Sequence, residues 1–370
     1  MTPTTPASPN SAPLRVLLAG GGTAGHVNPL LATAGALTAA APHTEILVLG
    51  TTAGLEAELV PAAGFELATI EKVPFPRRPN GAALRFPGRF LGTIRRTRKL
   101  LDERRIDVVV GFGGYVCPPA YLAAAARRTP LIVHEANRRP GLANRLGARR
   151  AAAVLTAFDG TPLPGARRLG MPMRPGIAHL DRAAARAEAR RRLGLDDDRP
   201  TLLVTGGSLG AQRLNDAVLG SLDALLDAGV QVLHVTGKGK SDGLPSREGY
   251  RVLEYVSAME EAYAAADLAV TRSGAGTVSE VTAVGLPAVF VPLPIGNGEQ
   301  ALNGEDVVRS GGALMIPDAE VTPERIRTEV LPVLLDAPRL RAMSDASRRF
   351  GIPDAAEQLA ALVIGVARGA

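Results

Sequence analysis

Leu268-Ala269-Val270-Thr271-Arg272-Ser273-Gly274-Ala275-Gly276-Thr277-Val278-Ser279-Glu280 reads as an apolar strand, a turn of small residues and the opening of a helix. Ser273, Gly274 and Gly276 let the first backbone N–H groups of that helix approach a ligand, and the positive end of the helix favours an anion there. Glu280, about one turn further in, carries only acceptors and suits two hydroxyls of a ribose. The plainer alternative is a packed strand-to-helix turn with an exposed carboxylate. The design recurs. Leu14 to Ala19 runs into Gly20-Gly21-Gly22-Thr23-Ala24-Gly25-His26 before the helical spacing of Leu30, Leu31, Ala34 and Leu37. Thr201 to Thr205 runs into Gly206-Gly207-Ser208-Leu209-Gly210-Ala211 before Val218, Leu222 and Leu225. A buried parallel strand, a glycine loop and a helix open a doubly wound sheet. Two such openings, about half a chain apart, predict an α/β protein of two Rossmann-like domains facing across a cleft.

At 370 residues the chain is long for one core, in keeping with two domains. Its 46% hydrophobic and 21% charged residues are those of a globular protein, and no apolar run is long enough to cross a bilayer. Met1 to Pro13 has neither the basic start nor the apolar centre of a secretory signal and is expected to be a flexible, disordered tail. The single cysteine, Cys117, leaves no intrachain disulfide and no cysteine-rich metal site, so the cytoplasm is the expected compartment.

The net charge of +6 is concentrated in one segment. Lys72 to Arg105 holds 11 basic residues against Asp102 and Glu103, leaving 31 basic and 34 acidic residues elsewhere. The segment interleaves Phe75, Phe86, Phe90 and Leu84 with Arg77, Arg78, Arg85 and Arg89. That pattern suits anionic lipid headgroups, with rings dipping in from a loop over Val73 to Phe86 and arginines at phosphate level. For the charged helix expected from Gly88 to Arg104, a solvated face over ordinary core is the alternative. No nucleic-acid motif accompanies the charge, so nucleic acid is not expected as a partner.

Gly20, Gly22 and Gly25 satisfy G-x-G-x-x-G, but the second strand, Ile46 to Leu49, ends in Gly50-Thr51-Thr52 with no carboxylate for an adenosine ribose. The loop therefore reads as a diphosphate cradle and not as a nicotinamide site. His26 sits where loop becomes helix; it is either a neutral base for an attacking hydroxyl or a capping histidine. Asp107 to Val110 runs into Gly111-Phe112-Gly113-Gly114-Tyr115, and Leu131 to Val133 into His134-Glu135-Ala136-Asn137. Three turns thus meet at the carboxyl edge of one sheet, where open α/β sheets bind ligands.

In the second half, Arg167 to Pro175 resembles a domain connection, with Arg174 either beside a diphosphate or solvated in the linker. Asp196-Asp197-Asp198 imitates a metal-binding D-x-D but precedes a strand at a turn, so no metal is expected. Gln300 and Asn303 offer amides for sugar hydroxyls or for capping.

In their order and spacing, GGTAGH at Gly21–His26, GFGGYV at Gly111–Val116, HEAN at His134–Asn137, GGSLGAQRLN at Gly206–Asn215 and RSGAGTVSE at Arg272–Glu280 closely resemble the MurG family, glycosyltransferase family 28. The likeness runs from about Leu14 to the C-terminus. It implies a GT-B fold: an N-terminal acceptor and membrane domain over 14–170, a C-terminal donor domain over 171–350 and a last helix over 351–370 packing back on the first half. It also implies transfer of GlcNAc from UDP-GlcNAc to the muramyl 4-hydroxyl of lipid I, giving lipid II at the cytoplasmic face of the cell membrane. By position, donor contacts fall on Thr23, Ala24, Gly25, Asn137, Arg174, Ser208, Val256, Ala275, Gly276, Thr277, Val278, Ser279, Glu280 and Gln300. Acceptor contacts fall on Gly22, Gly113, Gly114, Tyr115, His134 and Glu135. Membrane contacts are assigned to Phe75, Arg77, Arg78, Leu84, Arg85, Phe86 and Arg89. His26 is the choice for the base, and no cofactor beyond the substrate UDP-GlcNAc is required. Implied partners are lipid I, anionic inner-membrane lipids, and division and elongation proteins. Where Ala24, Ala136 and Met171 stand, the family often carries Gly, Gln and Asn. The rival readings are another GT-B enzyme on a UDP-sugar, such as a galactolipid synthase or a UDP-GlcNAc 2-epimerase, and a non-catalytic nucleotide-sugar sensor.

Overall fold

The computed structural model of the chain describes residues 13–76, 81–207, 211–294 and 298–369, so almost all of the expected N-terminal tail lies outside it. Its first sheet comprises β1 (Arg15–Gly20), β2 (Glu45–Gly50), β3 (Glu66–Thr69), β4 (Val108–Gly113), β5 (Leu131–Glu135), β6 (Ala153–Thr156) and β7 (Ala166–Arg168). The second comprises β8 (Thr201–Thr205), β9 (Gln231–Val235), β10 (Tyr250–Leu253), β11 (Leu268–Thr271), β12 (Ala288–Phe290) and β13 (Ala313–Met315). The orders are β3-β2-β1-β4-β5-β6-β7 and β10-β9-β8-β11-β12-β13, all parallel. Each order reverses where a first strand lies beside a fourth, at β1/β4 and β8/β11, and such a reversal opens a crevice at the strands' carboxyl ends. The central strands are buried on both faces, which is why they read as unbroken apolar runs.

The two halves repeat each other down to single hydrogen bonds. Asp107 Oδ2 accepts the Arg15 N–H at 2.8 Å where β1 begins, and Asp267 Oδ2 accepts the Thr201 N–H at 2.8 Å where β8 begins. Asp267 is also held by Arg186 at 2.6 Å and Arg190 at 3.0 Å. These arginines, with Arg182, recur every four residues on the helix Arg182–Leu193, which Asp181 caps through the Ala183 and Ala184 N–H groups. Arg190 is wholly buried, and its remaining donors go to Ala265 O, Thr201 Oγ1 and the carbonyls of Asp196 and Asp197, so its charge is fully satisfied. The charged helix is thereby a clamp on the start of β11. The Asp196–Asp198 turn serves that clamp, and Asp196 Oδ1 accepts the Asp198 N–H.

The helix Ala355–Arg368 leaves the second half and lays Ala355, Leu359, Ala360 and Val363 against Val16, Leu18, Leu30 and Leu37. Where the chain passes between halves its two crossings lie side by side. Arg168 donates to the Phe350 carbonyl at 2.5 Å, and a Cβ on Gly170 (φ +96°) would stand 2.7 Å from Ile352 Cβ.

The basic segment differs from expectation. A helix begins at Gly81, not after Phe86, and continues through Pro87 to Glu103. Ala82, Ala83, Leu84 and Arg85 are strong helix formers and account for the early start. The rings of Phe75, Phe86 and Phe90 gather at 5.0–5.8 Å between centroids, Phe75 half exposed, and Leu84 on the same helix is 87% exposed. Arg85 is exposed and Arg89 pairs with Glu71 at 3.0 Å, whereas Arg77 and Arg78 lie outside the described residues. Among the described residues no helix is long and apolar enough to cross a membrane.

Candidate active site at the two crevices

The helix Ala24–Ala40 starts from Thr23 without a side-chain cap, so the N–H groups of Ala24 and Gly25 face the mouth of the first crevice. His26 Nδ1 lies 3.0 Å from the Gly21 carbonyl and 3.4 Å from Thr23 Oγ1. A carbonyl only accepts, so Nδ1 carries the hydrogen and Nε2 is left as the acceptor. Nε2 lies over the second glycine loop: a Cβ on Gly113 (φ +107°) would come within 2.9 Å of it. Gly114 (φ +91°) packs on the first loop, where a Cβ would meet the Gly21 carbonyl oxygen at 2.5 Å. Gly22, Gly113, Gly114 and His26 thus form one surface. Tyr115 is partly exposed at its rim, and Lys72, from the basic segment, sits 5.1 Å from its ring centroid.

A carboxylate not anticipated from the sequence braces this surface. Glu56, fully buried, accepts the Gly22 N–H at 2.7 Å, the Thr51 N–H at 2.9 Å and the Thr51 hydroxyl at 2.8 Å. Burial opposes its charge, but these bonds outweigh it and hold the carboxyl below the usual range. Its side chain fills the space beside Gly21, Gly50 and Gly54.

Two of the residues assigned to the acceptor, His134 and Glu135, are buried. His134 is wholly buried, its Nε2 hydrogen-bonded to the Gly170 carbonyl at 2.8 Å, and burial pushes its pKa down to about 4. Glu135 is buried as well and accepts from the Asn137 and Gly141 N–H groups and from Asn144 Nδ2. Both residues shape the loop after β5. The loop presents Asn137 and Arg138 to the second half. Asn303 Nδ2 donates to Asn137 Oδ1 at 3.2 Å and to the Ser273 carbonyl at 3.4 Å, its Oδ1 accepts the Arg138 N–H at 3.0 Å, and Arg138 pairs with Asp306 at 2.6 Å. One buried amide therefore ties the first half to the turn that follows β11.

In that turn Gly274 precedes the helix Ala275–Ala283 with no side-chain cap, leaving the N–H groups of Ala275, Gly276 and Thr277 open. Val278 and Ser279, also assigned to the donor, follow in the same helix. The Val278 N–H is spent on the Gly274 carbonyl, and both side chains are buried against the seam lined by Met171, Met173 and Val307. Glu280 is half-buried and accepts the Tyr263 hydroxyl at 2.7 Å. Burial raises its pKa, opposed by the Tyr263 bond and the nearby Arg174 charge. Arg174, partly exposed, pairs with Glu260 at 3.0 Å and donates to the Ser257 carbonyl at 3.2 Å, so it spans Glu280 and the buried Val256. Gln300 Oε1 accepts the Leu293 N–H at 3.0 Å and closes the base of the loop after β12. Ser208 lies outside the described residues. Among the described residues no group of three or more His, Cys, Asp or Glu side chains is placed to hold a metal ion.

Residues 16–156 match the glycosyltransferase family 28 N-terminal domain and residues 201–359 the glycosyltransferase family 28 C-terminal domain. A protein of Paenarthrobacter aurescens (strain TC1), named UDP-N-acetylglucosamine--N-acetylmuramyl-(pentapeptide) pyrophosphoryl-undecaprenol N-acetylglucosamine transferase, is 55% identical over 359 residues, 96% of either chain. The crystal structure of Acinetobacter baumannii MurG superposes with a TM-score of 0.79 at 27% identity, covering 95% of this chain and 99% of that one. A putative UDP-N-acetylglucosamine 2-epimerase from Listeria monocytogenes, at 14% identity, 97% and 98% coverage and a TM-score of 0.67, shares the fold alone.

Proposed function

The chain belongs to glycosyltransferase family 28, and from that premise we propose that it transfers N-acetylglucosamine from UDP-N-acetylglucosamine to the muramyl 4-hydroxyl of lipid I, yielding lipid II. Carrying this reading is the 55% identity, over nearly the whole of both chains, to a transferase named for that reaction. The reaction makes one glycosidic bond with inversion. The acceptor oxygen attacks the anomeric carbon, the bond to UDP breaks on the opposite side, and the hydroxyl proton passes to His26 Nε2. Negative charge grows on the departing diphosphate, and the open N–H groups of Ala275, Gly276 and Thr277, with Arg174, are suited to receive it. Glu280, preorganised by Tyr263, would take the ribose hydroxyls, and the backbone at Val256 the uracil. No further cofactor enters this group transfer.

The acceptor's pyrophosphate would lie on the first-half glycine loops beside Tyr115. Lys72 connects that rim to the Phe75–Phe86–Phe90 cluster, which supports docking of this face on an anionic membrane surface and delivery of the lipid-borne acceptor from there. Closure of the halves through Asn303 would complete the site.

Purified protein given labelled UDP-N-acetylglucosamine and a lipid I analogue should form the disaccharide lipid. Hydrolysis or 2-epimerisation of the sugar nucleotide in place of transfer would overturn the reading. Glu at Arg85 and Arg89 together with Arg77 and Arg78 should release the protein from anionic vesicles; undiminished binding would remove the membrane assignment.

A further inference from the structure

We propose that Glu56 is a positioning residue for the transfer step, resting on the reading of His26 as its base: its carboxylate clamps Gly22 and Thr51 so that the Gly21 carbonyl faces His26 Nδ1. The chain of contacts is short. Oε2 takes the Gly22 N–H at 2.7 Å, and Oε1 takes both Thr51 donors. That fixes the peptide before Gly22, whose carbonyl, on Gly21, lies 3.0 Å from His26 Nδ1. The same carbonyl is the surface on which Gly114 packs, so one group registers the base and the second glycine loop together.

Imidazole left to itself favours the hydrogen on Nε2, which would disable that nitrogen as a base. The Gly21 carbonyl selects the opposite tautomer, and Glu56 holds the carbonyl in place. The carboxylate touches no reacting atom and contributes only through the loop. Glycines at 21, 50 and 54 fit this reading, since a methyl group at any of them would collide with the Glu56 side chain.

The test compares Glu56→Gln, Thr51→Val and His26→Gln with the parent protein. Gln cannot accept at both ends, and Thr51→Val removes one donor with little change of shape. For Glu56→Gln, kcat should fall roughly 10- to 100-fold with donor KM little changed, as for a misplaced catalytic group. Thr51→Val should fall less in the same direction, and it carries the test if Glu56→Gln does not fold. Nitrogen-15 spectra of the imidazoles, with His26 identified by its loss in His26→Gln, should show the parent His26 with hydrogen on Nδ1 and the variants shifting toward Nε2. An unchanged His26 tautomer in both variants overturns the proposal, as does a loss confined to donor KM. Full turnover by His26→Gln would instead sink the reading of His26 as base, while the spectra still judge whether Glu56 orients the ring.

Discussion

The loop Gly20–His26 after β1 and the turn Ser273–Gly276 after β11 each border the reversal in strand order of their own sheet, one on a first strand and the other on a fourth, and they are held differently. Beneath the first lies an ionised, fully buried carboxylate that spends its lone pairs on the loop's own backbone and on Thr51. Beneath the second lies a neutral amide, Asn303, which takes the Ser273 carbonyl and leaves the helix N–H groups open. A buried negative charge beside a base opposes no chemistry there, because the base must gain a proton. The same charge beneath a departing diphosphate would cancel the helix field that is meant to receive it. One backbone plan thus serves two purposes according to the sign of what supports it.

Exchanging roles between the loops is the strongest way to break this contrast. His26→Ala should lower kcat by roughly 10²–10⁴-fold and leave donor affinity nearly intact, as for loss of a general base. Equal losses in kcat and in UDP-N-acetylglucosamine binding by calorimetry would make His26 a binding residue. Glu280→Ala should do the reverse, weakening donor binding by roughly 1.5–3 kcal/mol for lost hydrogen bonds to a charged group. A change in kcat alone would detach the second turn from the donor.

The comparison also has a pH dimension. Each sheet buries one histidine, His134 on β5 and His234 on β9, and burial pushes both pKa values down to about 4. An unfolded chain, titrating near 6.5, binds these protons first as pH falls, so the stability of each neutral imidazole is complete above that value and is lost downward toward 4. Between pH 7 and pH 5 the protein should lose on the order of 2 kcal/mol per histidine, measurable by urea unfolding. Gln at either position should flatten the slope, and an unaltered slope would remove that histidine from the account. The sites differ in satisfaction: His234 bonds Tyr250 and Asn215, whereas His134 Nδ1 has no hydrogen-bond partner among the described residues. The smallest effect is expected of Tyr263→Phe, which deletes one donor to Glu280 and should weaken donor binding by about 0.5–1.5 kcal/mol.

Much of the fold was legible because its central strands are buried on both sides and end in glycine. Gly22, Gly113 and Gly114 have positive φ, which other residues rarely adopt, so the loops announced themselves. The outer strands Ala153–Thr156, Ala166–Arg168 and Ala313–Met315 were not anticipated, being only three or four residues long. The groups that brace the site were equally hidden. Glu56, Tyr263 and Asn303 act on Gly22, Glu280 and Ser273 from 34, 17 and 30 residues away, and only folding brings them there. The inward turn of His134 to Gly170 was hidden for a local reason: a position at a strand's carboxyl end does not fix which face its side chain takes.

The helix Ala355–Arg368, pressed on the sheet that begins at Arg15, has a consequence for synthesis. While the ribosome is still adding the second half, the apolar strip formed by Val16, Leu18, Leu30 and Leu37 lacks the cover that Ala355–Arg368 supplies. The nascent first half must wait, with that strip exposed to chaperones or to its neighbours, until Ala355–Arg368 has left the exit tunnel.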